Sequence, residues 1–287
     1  MRSSIFLSDL SVVDHAHIDK HGRIIGGSYN PGFMVSGEVD DTESVVVDFS
    51  TIKKDLKFHI DKHINDIDLN GFDHKLWIID GYSDCEYTQQ DDIITITTPA
   101  FVGIFPVDAI KLIYKPSDEL FTDKFIGDQF AEHLEKCLAP LYPNVNLTVT
   151  CNNSTNVHLM DREMPLAIFN YSHGLKDSTS YGCQNLAHGH KSFIQHTDIN
   201  TAWMVASELN NAVFINKDNI ISDDHDIIAI EYTTPRGYFK GAYCKILNHI
   251  IVLNTETTIE YIAEYVANRF GVSDFYISEG LSKGTYL

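Results

Sequence analysis

The stretch Asp91-Asp-Ile-Ile-Thr-Ile-Thr-Thr-Pro99 has a counterpart in the second half of the chain, His225-Asp-Ile-Ile-Ala-Ile-Glu-Tyr-Thr-Thr-Pro235. Both stretches alternate apolar and polar residues and are rich in β-branched side chains, which is typical of β-strands. Two such similar stretches in one chain indicate an internal repeat. An internal repeat predicts that each copy forms the same secondary-structure elements in the same order.

The segments that follow the two strands also match in order. Each strand is followed by a turn with aromatic residues and glycine, then by a second strand, an amphipathic helix and a last strand. These three elements are residues 109–114, 125–137 and 145–150 in the first half, and residues 245–253, 258–270 and 275–278 in the second. A divergent tandem duplication is the simplest interpretation. We place its boundary near residues 155–162 and predict two domains, residues 1–157 and 158–287.

The order of elements in each half predicts an α+β fold, in which antiparallel hairpins carry helices on one face. The pattern also predicts a helix over residues 51–66, because Ile52, Leu56, Ile60 and Ile64 recur at helical spacing. Ser50 is a suitable residue for its N-cap.

Composition limits the class of protein. The chain has 287 residues, of which 44% are hydrophobic, and a net charge of −19. Nucleic acids and anionic membranes are excluded as expected partners, because phosphate binding needs surplus lysine and arginine. The N-terminus lacks the apolar stretch of a secretory signal, and no apolar run is long enough to span a bilayer. We therefore expect a soluble cytoplasmic protein whose five cysteines are free thiols.

The sharpest local pattern is Cys183-Gln-Asn-Leu-Ala-His188-Gly-His190, with Phe169-Asn-Tyr-Ser-His173 upstream. In a strand, His188 and His190 point to the same face, because side chains alternate. A third imidazole from a neighbouring strand would complete a three-histidine zinc site with an open fourth position. The chain has 14 histidines, so ordinary polar histidines are the alternative interpretation. The nearby Cys183 favours the metal site, because a metal promotes deprotonation of a thiol.

With these motifs the sequence resembles the family of 6-pyruvoyl-tetrahydropterin synthase and 6-carboxytetrahydropterin synthase. The other stretches that carry the resemblance are Val46-Val-Asp-Phe-Ser50, Asp73-His-Lys-Leu76, Thr258-Ile-Glu-Tyr-Ile-Ala263 and Ile277-Ser-Glu-Gly280. The resemblance implies the T-fold, a four-stranded antiparallel sheet with two helices on one face, here in tandem. It also implies zinc as the cofactor and 7,8-dihydroneopterin triphosphate as the substrate.

The resemblance implies a role for each motif residue. Zinc would be held by His173, His188 and His190. Cys183 would be the general base, and Asp73 with His74 the second acid–base group. Glu279 would accept hydrogen bonds from the pterin ring. Basic residues such as Lys176, Lys191 and Arg236 are candidates for the triphosphate.

The chain departs from the family pattern, since neither half has a complete set of these residues. The second half has Asn210-Asn211 where the family has Asp-His, whereas the first half keeps Asp73-His74 but has Gly26-Gly-Ser-Tyr-Asn30 in place of the metal pair. We therefore predict a composite active site that joins both halves, in a protein that forms a homo-oligomer, with a homodimer favoured. The alternative is a zinc- and pterin-binding T-fold paralogue without catalytic activity. The sequence leaves open whether the product is a pyruvoyl compound or a 6-carboxypterin.

Overall fold

The computed structural model describes residues 2–39, 46–65, 71–113, 123–152 and 163–287. In this part of the chain the strands are β1 (Arg2–Leu7), β2 (Val13–Ile18), β3 (Ile24–Glu38), β4 (Lys75–Ile79), β5 (Glu86–Gln90), β6 (Ile93–Thr97), β7 (Phe101–Pro106), β8 (Ile110–Ile113), β9 (Asn146–Asn152), β10 (Leu166–His173), β11 (His188–Gln195), β12 (Ala212–Asn216), β13 (Ile220–Asp223), β14 (Ile227–Thr234), β15 (Gly237–Cys244), β16 (His249–Leu253), β17 (Tyr276–Glu279) and β18 (Lys283–Tyr286). The helices are α1 (Phe49–Asn65), α2 (Asp123–Leu138), α3 (Ile199–Leu209) and α4 (Ile259–Phe270). No helix of these described ranges combines the length and the apolar character that a bilayer crossing requires.

Contacts divide the chain into two compact units. The first contains Met1–Val13, Tyr29–Phe72 and Asp118–Thr155, and the second contains Asp14–Ser28, Asp73–Ser117 and Asn156–Leu287. The predicted boundary at residues 157 and 158 lies outside the described residues. The division into domains 1–157 and 158–287 therefore stays a prediction.

The first unit holds α1, α2, β1, β9 and the second part of β3. β3 pairs antiparallel with both β1 and β9. The predicted helical spacing is confirmed, because Ile52, Leu56, Ile60 and Ile64 are all buried. The predicted N-cap is wrong. The helix begins at Phe49, and Asp48 caps it by accepting a hydrogen bond from the backbone N–H of Thr51 at 3.0 Å.

In the second unit, one sheet carries α3 and α4 on one face and has the strand order β16-β12-β10-β11-β17-β18. Alternate residues of β12 face different cores: Ala212 and Phe214 pack with the helices, while Val213 and Ile215 pack on the other side. The prediction of an antiparallel sheet is only partly right, because β12 runs parallel to both β10 and β16. A connection that contains a helix can return the chain in the same direction, which a tight hairpin cannot.

Another sheet of the second unit has the order β13-β14-β15-β7-β6-β5. It contains the repeated stretches as β6 and β14. The segments predicted as turns after them are in fact strands: β7 pairs antiparallel with β6, and β15 with β14. β7 and β15 also pair with each other, between Phe101–Ile104 and Lys240–Tyr243. The glycine and aromatic residues of these segments therefore belong to strands and not to turns. Gly103 of β7 lies opposite Gly241 of β15.

The order of elements repeats along the chain. The series β2, β3, α1, β4, β6, β7, β8, α2, β9 has the same sequence of strands and helices as β10, β11, α3, β12, β14, β15, β16, α4, β17. The parallel pairings match as well. β4 runs parallel to β2 and β8, and β12 runs parallel to β10 and β16. This order is the one that the internal repeat predicts, and the duplication itself stays an inference.

Candidate metal centre

Three buried histidines converge at the end of the β10–β11 hairpin. His173 is directly opposite His188, and His190 is opposite Tyr171, so all three imidazoles project from one face of the sheet. None of the three has any exposed surface. One ring nitrogen of each lies within 4.8 Å of the others, and the Nε2 atoms of His173 and His190 are 3.2 Å apart. The predicted ligand set is therefore brought together in one place.

Polar groups behind two of these rings fix which nitrogen faces the centre. The Nδ1 atom of His173 lies 2.5 Å from the carbonyl oxygen of Thr257. The Nδ1 atom of His190 lies 3.3 Å from a carboxylate oxygen of Asp14. With Nδ1 turned to an oxygen, Nε2 keeps the lone pair that a metal needs, and such partners are usual behind metal-binding histidines.

The protonation states suit a metal as well. Burial and the neighbouring His190 lower the pKa of His173 to about 3, so its ring is neutral at physiological pH. Burial opposes ionisation of Asp14, but His190 and the hydroxyl of Ser28, 2.5 Å away, outweigh it and lower the pKa of Asp14. Three imidazoles, one of them with a carboxylate behind it, are a donor set that fits a zinc ion with an open fourth position.

Asp73 and His74 reach this centre from the start of β4. The Nδ1 atom of His74 lies 2.5 Å from Nε2 of His188, and its Nε2 atom lies 3.2 Å from the carboxylate of Asp73. Asp73 itself accepts hydrogen bonds from the backbone N–H groups of Asp14 and His74, at 2.9 and 3.1 Å. The dyad is therefore fixed to β2 and points at the histidines of β11.

Burial dominates the acid–base properties of the dyad. It lowers the pKa of His74 to about 4, and together with the nearby Asp14 it raises the pKa of Asp73 well above its ordinary value. Both shifts favour the neutral side chain. A neutral imidazole next to the centre can accept a proton during a reaction and return it.

Cys183 lies on the loop between β10 and β11, with its Sγ atom within 4.8 Å of ring nitrogens of His74 and His188. Burial raises the pKa of this thiol. The short contact of the His74 ring is with His188. Cys183 and His74 nevertheless border the same space.

Glu279 closes another side of the centre, at the end of β17. One of its carboxylate oxygens lies 3.7 Å from Nε2 of His190, and the other lies 3.0 Å from Nζ of Lys283. Burial alone would raise the pKa of Glu279, but His190 and Lys283 outweigh it and lower the pKa, so the carboxylate is ionised. Glu279 is thus a charged acceptor next to the histidines.

The first half has little room for a metal pair at the predicted place. A side chain at Gly27 would meet the ring of His15 at 2.7 Å, and that ring stacks on Trp77 with centroids 3.8 Å apart. Within the described ranges, two groups of three side chains could hold a metal ion. One group is His173, His188 and His190, and the other is His74, Cys183 and His188.

Sequence reasoning missed Asp14 and gave Arg236 a different role from the one that its contacts show. Asp14 stands alone in β2, and no spacing relates it to His190. Arg236 was considered for a triphosphate, but it is buried and its guanidinium donates to the carbonyl oxygens of His74 and Gly182, at 3.1 and 2.6 Å, and to Asp108. Arg236 therefore links His74, Gly182 and Asp108 to one another, and its guanidinium is not available to an anion.

No protein-family model matches the sequence, and no curated protein gives a significant match. Among solved structures, the chain is similar to 6-pyruvoyltetrahydropterin synthase from Plasmodium vivax, with 18% identity over 54% of this chain and 94% of that chain, at a TM-score of 0.40. The enzyme from Plasmodium falciparum gives 18% identity over 53% and 92%, at a TM-score of 0.36. An uncharacterized protein from Wolinella succinogenes gives 11% identity over 54% and 95%, at a TM-score of 0.33. Substrate and reaction therefore have to be inferred from the residues of the centre.

Proposed function

We propose that this protein is a zinc-dependent lyase of the pterin synthase type that acts on 7,8-dihydroneopterin triphosphate. The observation that carries the proposal is the 2.5 Å contact between Nδ1 of His74 and Nε2 of His188. It joins an Asp–His pair, which can transfer protons, to a set of three imidazoles, which can hold a metal. A lyase that removes a proton from carbon beside a hydroxyl would use the first group to move the proton and the second to hold a metal that supplies Lewis acidity.

His173, His188 and His190 would hold the zinc ion. When bound, zinc would supply Lewis acidity that polarises the hydroxyl oxygens of the substrate side chain and acidifies the adjacent C–H bond. Asp14 and the carbonyl oxygen of Thr257 would keep two of the rings in the orientation that binds it.

Cys183 and His74 would share the proton transfers. Cys183 would act as the general base at the carbon of the substrate side chain, and His74 would be the second acid–base group, oriented by Asp73.

Glu279 would fix the pterin ring. Its ionised carboxylate can accept two parallel hydrogen bonds from ring N–H groups, which is the geometry that carboxylates favour.

We also propose that the two halves arose by tandem duplication of a T-fold domain, and that the catalytic residues were then divided between them. The repeated order of elements supports the first point. The second is supported by His74, which comes from the first half and contacts His188 of the second. Assembly as a homodimer stays a prediction, which light scattering at micromolar concentration would test.

The decisive experiment is an assay of the zinc-loaded protein with 7,8-dihydroneopterin triphosphate and mass detection of the product. We expect turnover, and we expect Cys183→Ala to remove most of it while zinc content and fold are unchanged, since a general acid–base group contributes about 10²–10⁴-fold. Cys244→Ser is the matched control and should keep full activity. A protein that binds zinc and this substrate without turning it over would be the non-catalytic paralogue, and the proposed reaction would be wrong.

A further inference from the structure

The centre contains a second set of possible metal ligands that overlaps the first. His74, Cys183 and His188 each offer one donor atom, and these atoms all lie within 4.8 Å of one another. His188 belongs to both sets. We propose that this second set is an alternative metal position, which takes thiophilic divalent ions such as Cd²⁺. The proposal does not rest on the proposed reaction.

The imidazole of His74 is arranged as metal-binding imidazoles usually are. Its Nε2 atom lies 3.2 Å from a carboxyl oxygen of Asp73, and its other ring nitrogen, Nδ1, faces the centre. Nδ1 in turn faces Nε2 of His188 at 2.5 Å, which is closer than two ligands of one ion lie, so the two rings separate when an ion binds between them. Asp73 therefore lies behind His74 as Asp14 lies behind His190, with a carboxyl group near one ring nitrogen and the centre at the other.

The backbone around His74 is held on both sides, so this donor is preorganised. Its N–H donates to the carbonyl oxygen of Asp14 at 2.7 Å. Its carbonyl oxygen accepts from the side-chain amide of Asn185 at 3.0 Å and from Arg236 at 3.1 Å. A ligand that is already in place loses little conformational entropy on binding, which favours the bound state.

Cys183 is held next to this ring by the preceding residue. A Cβ at Gly182 would lie 2.6 Å from Cδ2 of His74, so the loop passes directly over the imidazole. The carbonyl oxygen of Gly182 also accepts from Arg236 at 2.6 Å. Only a residue without a side chain allows this approach, and it brings the thiol to the ring.

The two sets differ in donor type and in access. The first set has three imidazoles and no exposed surface, whereas Cys183 and His74 are partly exposed. A thiolate is a soft ligand, so a set with one thiolate and two imidazoles favours soft ions more than three imidazoles do. When the ion binds, a metal–sulfur bond forms and the thiol proton is released to solvent. His188 belongs to both sets. An ion that binds His188 in one set therefore leaves only two ligands in the other.

Cadmium alone is the probe for this site. The double variant His173→Ala with His190→Ala removes the first set and leaves the second complete. We expect this variant to bind one Cd²⁺ per chain and to show the ultraviolet charge-transfer absorption of a cadmium–thiolate bond. Adding Cys183→Ser should remove the absorption and weaken binding by about tenfold or more, whereas adding Cys244→Ser, the matched control, should leave both unchanged.

The wild-type chain gives a second test that does not depend on the folding of the double variant. Its Cd²⁺ complex should also show thiolate absorption, and the Cys183→Ser chain should lack it. Absorption that persists without Cys183, or Cd²⁺ bound to the wild type without any thiolate signal, would overturn the proposal. Neither measurement uses a pterin, so the result is independent of whether the protein is a lyase.

Discussion

His74 and Asn211 have the same left-handed backbone, with φ values of 53° and 59°, each immediately before a buried parallel strand. The N–H group of His74 donates to the carbonyl oxygen of Asp14 at 2.7 Å, and that of Asn211 donates to the carbonyl oxygen of Asn170, also at 2.7 Å. The two positions are therefore structurally equivalent. One carries a side chain that can titrate, and the other carries an amide that cannot.

The preceding residues are equivalent too. The side chain of Asp73 accepts from the backbone N–H of Asp14 at 2.9 Å, and the side chain of Asn210 accepts from that of Asn170 at 3.1 Å. The Asp-His pair of the first half and the Asn-Asn pair of the second thus fill the same structural role. They differ in chemistry, because only the first pair can carry a proton.

This equivalence makes His74→Asn a conservative change. Asparagine tolerates the left-handed backbone at low cost, so we expect fold and zinc content to be retained and turnover to fall by about 10²–10⁴-fold. Asn211→Gly is the matched control, because glycine also accepts this backbone, and it should leave turnover unchanged. Steady-state kinetics with zinc analysis would check both variants. If His74→Asn keeps most of the activity, the Asp73–His74 pair is not part of the catalytic site.

The low pKa of His74 predicts a dependence of stability on pH in the metal-free protein. The pKa is about 4 in the folded chain and about 6.5 in an unfolded one. Between these values the unfolded chain binds a proton that the folded chain does not, so the free energy of unfolding falls as pH falls from about 6.5 to about 4. The contribution of His74 is at most about 1.4 kcal/mol per pH unit.

Urea unfolding across this pH range would measure that contribution. As the pH is lowered from about 6.5 to about 4, the wild type should lose free energy of unfolding relative to His74→Asn, because the variant has no imidazole at this position to protonate. Parallel curves for the two chains would show that the pKa of His74 is ordinary in the folded state.

Asp14 is expected to set the affinity for the metal. Its carboxylate lies 3.3 Å from Nδ1 of His190, behind the nitrogen that faces the centre. Loss of such a partner typically weakens metal binding by about 10–100-fold, and we expect this range for Asp14→Asn in a competition assay with a zinc chelator. Asn170→Ala, at the equivalent position of the other half, should leave the affinity unchanged. Equal affinities for wild type and Asp14→Asn would mean that the carboxylate does not orient His190.

The sequence predicted the parts of this centre that follow from local patterns. The H-x-H pair places His188 and His190 on one face because side chains alternate in a strand, and the repeat assigned Asp73-His74 to the same position as Asn210-Asn211. Asp14 could not be predicted, since its position behind His190 depends on how β2 packs in the folded chain. Arg236 could not be interpreted correctly either, because nothing in the sequence indicates that it is buried.

The fold shows the same limit. Periodicity located α1 and its buried face, because a helix is decided by residues close in sequence. It did not identify β7 and β15 as strands. Their glycines resemble turn residues, but Gly103 and Gly241 lie opposite each other where the two hairpins pair. A Cβ on Gly241 would meet the ring of Phe101 on the neighbouring strand at 3.0 Å, so the need for glycine there comes from tertiary packing.

Arg236 is the residue that we expect to keep Cys183 and His74 in register. Its Nη1 atom donates to the carbonyl oxygens of Gly182 and His74, so one guanidinium joins the loop of the cysteine to the strand of the histidine. Its Nε atom lies 3.2 Å from the carboxylate of Asp108. A lysine would keep the charge but could not reproduce the fork of donors.

We therefore expect Arg236→Lys to lower turnover and to change the rate at which iodoacetamide alkylates Cys183, while zinc content stays the same. Asp108→Asn is the matched control for stability. It weakens the buried ion pair, whose disruption typically costs about 3–5 kcal/mol, but it leaves both carbonyl contacts of Arg236 in place. It should lower the free energy of unfolding and leave the alkylation rate of Cys183 unchanged. If Arg236→Lys and Asp108→Asn affect turnover and alkylation equally, Arg236 acts only through stability, because the control keeps the contacts that position Cys183 and His74.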